Sequence, residues 1–114
     1  MRDQRQFYRI PFREALGVES GVTDDFRGAM GRDLSGGGLR IRSEQFMALG
    51  APVRVRFQLE DEILVLTGEV AWVQREQHGE YYQIGVKFEE DVSNMFKRKR
   101  VIDFVDTNDK DEDY

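Results

Sequence analysis

The sequence predicts a mainly β fold: an antiparallel meander that closes into a small barrel, with one C-terminal α-helix covering its open end. Three observations predict it. Four short runs alternate apolar and polar residues or are enriched in β-branched side chains, turn signals separate them at short intervals, and the one stretch with helical character follows the last of them. A chain of 114 residues with 39% hydrophobic and 11% aromatic content suffices for one domain with a real core.

The first run, GLRIRS at 38–43, follows a turn marked by the glycines at 36–38. PVRVRFQLE at 52–60 comes after the turn signal LGAP at 49–52. Here Val53, Val55, Phe57 and Leu59 alternate with Arg54, Arg56 and Gln58, the pattern of a strand with one wet face, so both arginines are expected to be surface charges. EDE at 60–62 turns the chain into ILVLTGEVAWVQRE at 63–76. On that strand Leu66, Gly68, Val70, Trp72 and Gln74 share a face, and the area of the indole favours Trp72 in the core over a place beside a ligand. QHGE at 77–80 leads into YYQIGVKFEE at 81–90, where Gly85 marks a bend or a close backbone approach. Asp91 and Ser93 are candidate N-caps of a helix over about 92–105, with Val92, Phe96, Ile102 and Val105 among its apolar positions. The KRKR run at 97–100 reads as a solvated face of that helix.

Composition excludes several function classes. Without cysteine there is no disulfide framework, thiolate nucleophile or cysteine-bearing zinc site. The one histidine, His78, belongs to a hairpin tip, which speaks against histidine catalysis and metal binding. No nucleophile, base and orienting group occur together, so no enzyme is expected. The N-terminus is polar and charged and no run of eighteen apolar residues occurs, so the expected location is cytoplasmic, without membrane insertion. The net charge of −5 is uneven: residues 103–114 carry six acids against one lysine, while residues 1–102 balance. That acidic end reads as a disordered tail, and a neutral body with an acidic tail predicts no nucleic-acid partner. Residues 1–13 carry Arg2, Arg5, Arg9 and Arg13 against Asp3 alone, an end suited to an anionic ligand.

Two motifs are poorly explained by structure alone. RQFYR at 5–9 places Arg5 and Arg9 four apart, and DLSGGG at 33–38 places Asp33 and Ser35 ahead of a glycine run. Arginine presents a planar fork to phosphate oxygens or to the O6/N7 edge of guanine. The Asp33 carboxylate can accept from the N1–H and N2–H₂ donors of a guanine Watson–Crick edge, and Ser35 can donate to a phosphate or cap the turn. Glycines admit close backbone approach, and successive N–H groups can form an anion nest. Gly36 has no assigned need in this reading. The pair of motifs suggests a guanine nucleotide held by base and phosphate.

The two motifs, in this order and followed by GEVAWV and YQIGVKFEE, resemble the RxxxR and (D/N)xSxxG signatures of the PilZ domain family, bacterial receptors for cyclic di-GMP. The start RQFYRIP resembles the PilZ domain of flagellar-brake proteins. The resemblance implies a six-stranded antiparallel PilZ-type β-barrel with a C-terminal helix, no enzymatic activity, no cofactor and no metal, with cyclic di-GMP as the ligand. It implies ligand contacts from Arg5, Arg9, Asp33, Ser35, Gly37 and Gly38, with Arg2, Gln4 and Arg40 as additional contacts. Arg5 and Arg9 are expected to hold phosphates and guanine, and Asp33 a guanine edge. The residue before the first motif arginine, here Gln4, influences in that family whether one or a stacked pair of ligands is bound. The expected organisation is an arginine-rich ligand-binding arm at 1–13, the barrel with its helix at 14–105, and the acidic disordered tail at 106–114. Like charges on the arm disfavour its docking without ligand, so ligand is expected to order it and change contacts with a downstream protein partner, in motility or biofilm control. The competing expectations are a PilZ-fold protein-interaction module without nucleotide, and a nucleic-acid-binding small β-barrel using KRKR and exposed aromatics.

Overall fold

A computed structural model of the chain describes residues 9–20 and 25–109. Among these residues the chain runs through β1 (Arg9–Pro11), β2 (Ala15–Glu19), β3 (Arg27–Ser35), β4 (Gly38–Ser43), β5 (Pro52–Leu59), β6 (Glu62–Arg75), β7 (Tyr82–Phe88) and α1 (Val92–Asp109). Every strand pairing is antiparallel. Strands β2 to β7 follow one another around the wall as β3-β2-β5-β6-β7-β4, and the β3–β4 pairing closes the ring. The extra strand β1 takes over the edge of β3 beyond the end of β2, with Arg9 opposite Ser35 and Pro11 opposite Asp33. A closed six-stranded barrel with a C-terminal helix is what the sequence predicts.

The alternation in β5 works as expected, with Val53, Val55, Phe57 and Leu59 all buried. Its outward arginines have specific partners, however. Arg54 Nη1 lies 2.8 Å from Oε1 of the buried Glu19, and Arg54 and Arg56 both stand over the Phe26 ring. In β6 the alternation breaks. The register against β7 shifts between Val70 and Trp72, and one extra residue at such a bulge exchanges inward and outward positions. Leu64, Leu66 and Val70 therefore point inward, Val73 continues the core, and Trp72 turns outward with 39% of its surface exposed. This corrects the expectation that Trp72 packs in the core.

Helix α1 begins at an aspartate cap, the Asn94 N–H donating to Asp91 Oδ1 at 3.1 Å. It continues past residue 105 to Asp109, so residues 106–109 of the acidic segment are helical; 110–114 lie outside the described residues. Its buried face consists of Asn94, Val101 and Val105, whereas Val92 and Phe96, two of the expected apolar positions, face solvent. Phe104 meets Phe12 edge to face at 6.3 Å, and Phe12 meets Phe57 at 5.6 Å, joining helix to β5 through the barrel end. Arg100 donates to Glu62 at 2.8 Å and to Glu60 at 3.1 Å, beside the β5–β6 turn. The Asn94 amide bonds the backbone on both sides of the barrel rim: it donates to Thr67 O at 2.8 Å and Glu89 O at 2.9 Å, and accepts from Thr67 N at 3.2 Å.

On the outer wall, Arg42 of β4 donates to both carboxylate oxygens of Glu76, at 2.8 and 3.1 Å, and stacks on Tyr81. The hydrogen bond from Arg42, followed by one from Gln83, holds the Glu76 carboxyl below the ordinary glutamate range. Its stabilising contribution is therefore complete above the ordinary glutamate pKa and is lost as pH falls through the lowered value.

Two outcomes are expected from urea unfolding. Asn94→Ala leaves buried backbone groups unpaired and should cost about 2–3 kcal/mol, whereas Phe96→Ala, on the exposed face, should stay within about 0.5 kcal/mol of the parent. The stability difference between the parent and Glu76→Gln should shrink as pH is lowered below the glutamate range.

Candidate functional site

Three registers line up one row of positions across the outer wall. Asp33 of β3 stands opposite Arg40 of β4, Arg40 opposite Gly85 of β7, and Gly85 opposite Trp72 of β6. Directly opposed residues share a face of the sheet, so this row is one surface. The shift in β3 between Gly31 and Asp33 sets Asp33 outward while Leu34 and Leu39, the next pair, go into the core.

The Asp33 carboxylate is held from both sides. Arg9 Nη1 lies 2.7 Å from Oδ1 and Arg40 Nη2 lies 2.7 Å from Oδ2, with the Asp33 side chain only 11% exposed and the two arginines 46% and 41% exposed. Oδ1 thus accepts a charge-assisted hydrogen bond from Arg9 and Oδ2 forms an ion pair with Arg40, while both arginine side chains stay partly exposed. Arg9 reaches this position because β1 sets it opposite Ser35, two residues along β3 from Asp33.

Beyond Asp33, Ser35 and Gly38 pair across a two-residue turn formed by Gly36 and Gly37. Ser35 Oγ accepts from the N–H of Gly37 at 3.2 Å and of Gly38 at 3.1 Å, so of its two anticipated uses the structure displays the turn cap. The carbonyl of Gly37 accepts from Phe88 N–H at 2.9 Å. Gly36, without a role in the sequence reading, offers its carbonyl to Arg98 Nε at 3.2 Å and so ties the turn to α1. Gly38 must lack a side chain for a reason inside the sheet: a Cβ there would be driven into the backbone carbonyl of Val86.

A surface cleft of about 260 Å³ opens here, bordered by Arg9, Ser35, Gly37, Gly38 and Arg40 of the predicted set. Asp33 lies behind its two arginines rather than on the wall. Arg2, Gln4 and Arg5 fall outside the described residues. Ala71, Trp72 and Lys87 also border the cleft, and the sequence reading assigned none of them to it. The break at Gly85 was the available signal, because the Trp72 indole occupies the space that a Cβ at 85 would need.

Three cationic side chains and a glycine turn, with a carboxylate behind two of those cations, equip this cleft to bind an anion that also carries hydrogen-bond donors. Two of the four KRKR cations, Arg98 and Arg100, are turned to the barrel, which removes them from a nucleic-acid face. His78 is exposed on the β6–β7 connection. Among the described residues no group of three or more His, Cys, Asp or Glu could hold a metal ion, and no helix is long and apolar enough to cross a membrane.

Two substitutions should separate structural from surface roles without any ligand. Gly38→Ala should lower stability by about 1–3 kcal/mol through overpacking. Arg9→Ala removes one half-exposed ion pair and should cost less than about 1 kcal/mol. Thermal melts of both variants against the parent check this.

The family model described as PilZ domain matches residues 3–106. Among curated proteins no sequence matches the chain. Among solved structures, the Bacillus subtilis inhibitor of motility MotI/DgrA superposes with a TM-score of 0.79 at 9% identity, over 98% of this chain and 54% of that one. The present chain thus spans about half the length of that protein. The PilZ domain of YcgR from Escherichia coli, solved with c-di-GMP, gives a TM-score of 0.68 at 12% identity, covering 96% of this chain and 97% of that one. The PilZ domain of CeSA from a cellulose-synthesizing bacterium gives 0.64 at 19% identity, covering 87% and 98%. These likenesses concern the fold, and the family match, which spans nearly the whole chain, carries the assignment: the chain belongs to the PilZ domain family.

Proposed function

We propose that this chain is a cyclic di-GMP receptor domain that acts through protein contacts rather than catalysis. The observation that carries the reading is the Asp33 carboxylate clamped between Arg9 and Arg40 beside the Ser35–Gly38 turn. Arg9 of the first PilZ motif and Asp33, Ser35 and Gly38 of the second lie side by side there, which supports the reading. The solved complex of YcgR with c-di-GMP supports the choice of ligand.

In this reading the ligand replaces contacts that the protein makes with itself. Arg9 leaves Asp33 for a phosphate, the freed carboxylate takes a guanine Watson–Crick edge, and Ser35 with the Gly37 and Gly38 N–H groups receives a phosphate oxygen. Arg5 joins Arg9 on the phosphates, so the segment carrying Arg2, Gln4 and Arg5 closes over the turn. Since Arg9 already belongs to β1, the ordering step concerns the residues ahead of it. Charge-assisted bonds of about 1.5–3 kcal/mol each, less the ordering cost, place the affinity in the micromolar to submicromolar range. The output is a changed contact with a downstream protein in the cytoplasm, in motility or biofilm control; the likeness to a motility inhibitor supports that direction.

Calorimetry and thermal shift test the reading. Cyclic di-GMP at about a hundred times Kd should stabilise the fold by about 2.7 kcal/mol, with GTP and cyclic di-AMP giving far less. Asp33→Ala should weaken binding at least about tenfold, and Lys99→Ala, on the exposed side of α1, should leave it unchanged. No saturable heat with cyclic di-GMP, or equal shifts with all three nucleotides, would sink the proposal.

A further inference from the structure

The outward side of α1 carries apolar residues that nothing in the fold requires. Asn94, Val101 and Val105 are buried against the barrel, and on the opposite side Val92, Phe96, Lys99 and Asp103 recur at alternating spacings of four and three. Val92 is 75% and Phe96 79% exposed, with Met95 at 55% beside them. Residues three and four apart are neighbours on a helix surface, so these three form one apolar patch at the start of α1. Single exposed apolar residues are ordinary, but a contiguous patch rimmed by charge marks a surface that associates. The rim is ordered by sign: Glu89, Glu90 and Asp91 precede the patch, and Lys97 and Lys99 follow its core. Arg98 and Arg100 do not belong to it, because both are turned to the barrel.

We propose that two copies of this chain associate through α1, antiparallel about a twofold axis that crosses the helix beside residue 94. A twofold contact uses the same surface on both copies, so that surface must complement itself. This one does, in charge and in polarity. Reversal about the centre of the patch lays Phe96 of each copy on Val92 of the other, with Met95 next to the axis. It also brings Lys97 and Lys99 of each copy to the acidic end of the other, where Glu89, Glu90 and Asp91 lie. A parallel arrangement would set lysine on lysine and acid on acid. The same acids, with Asp103 and Asp106 exposed further along α1, disfavour an anionic lipid surface as the occupant. Three apolar side chains fall short of the roughly 800 Å² that each partner of a standard interface buries, so the charged rim is part of the contact and the dimer is weak, with Kd on the order of 100 µM. The inference does not rest on the cyclic di-GMP reading, since the stripe faces away from Arg98, the residue by which α1 holds the Gly36 carbonyl.

Sedimentation equilibrium of the full chain from about 10 µM to about 1 mM tests this. The weight-average mass should rise from 13.3 kDa toward twice that value and no further. Phe96→Asp should stay at 13.3 kDa throughout, with far-UV circular dichroism like the parent's because the side chain stands in solvent. Lys99→Glu and Glu90→Lys should each weaken the dimer at least about tenfold. The double variant, in which the two signs are exchanged, should recover most of the parent's association, a repair that a residue needed only for its own helix would not show. Should Phe96→Asp fail to fold, the charge exchange decides. A parent that keeps 13.3 kDa up to the highest concentration would overturn the proposal. Parent-like association of a folded Phe96→Asp, or a double variant no better than the single ones, would overturn it as well. So would a monomeric parent that co-sediments with phosphatidylglycerol vesicles, a result that gives this face to lipid.

Discussion

Closure of the barrel depends on one close passage, the backbone of Gly38 against the carbonyl of Val86. β4 has to pair with β3 on one side and β7 on the other, and Gly38 opens both ladders, opposite Ser35 and opposite Lys87. A side chain at that position would hold β4 off β7 just where the ring closes. With the passage available, the Gly37 carbonyl reaches Phe88 N–H and the turn is fastened to the end of β7. The rows of the outer wall follow from those registers, and with them the placement of Asp33 beside Arg40 and of Gly85 beside Trp72. Glycine at 38 is thus a condition for the site whether or not it ever touches a ligand.

The electrostatics of the cleft follow from the same arrangement. A carboxylate nearly enclosed by protein needs compensation, and Asp33 obtains it from two arginines that remain half in water. Partly exposed ion pairs of this kind cost little to exchange. The glycine turn is in turn tied to α1 through Arg98, and α1 to the β5–β6 turn through Arg100. One barrel end therefore joins the candidate ligand turn and the C-terminal helix through a chain of direct contacts, a physical route from site to surface.

Legibility differed from element to element for identifiable reasons. β5 could be read residue by residue because it alternates without interruption and has one wet face. β4 and β7 were bounded by turns that the sequence marks with glycine, and the Asp91 cap follows from local hydrogen-bonding chemistry. β1, β2 and β3 carried no comparable signal. β1 is three residues long, and β3, RGAMGRDLS, holds two glycines and a register shift that destroy any period of two. Trp72 was misplaced for a related reason, since a bulge reverses alternation and nothing in AWVQ announces one. In α1 the buried face is set by what lies beneath it, so Asn94 is inside and Phe96 outside, contrary to their polarity.

By itself the sequence determined the class of fold, four of the strands, the start of the helix and the two motifs that point to a guanine nucleotide. These are properties of short stretches, governed by side-chain periodicity, turn chemistry and hydrogen-bonding capacity within a few residues. The tertiary structure decided that Asp33 sits behind two arginines, that Gly36 serves the helix, that Gly38 serves the sheet, and that Trp72 lies on Gly85 at the edge of the cleft. Each of those depends on the register between strands distant in the chain. Register is settled by closing the whole ring, and no local window of sequence contains that constraint.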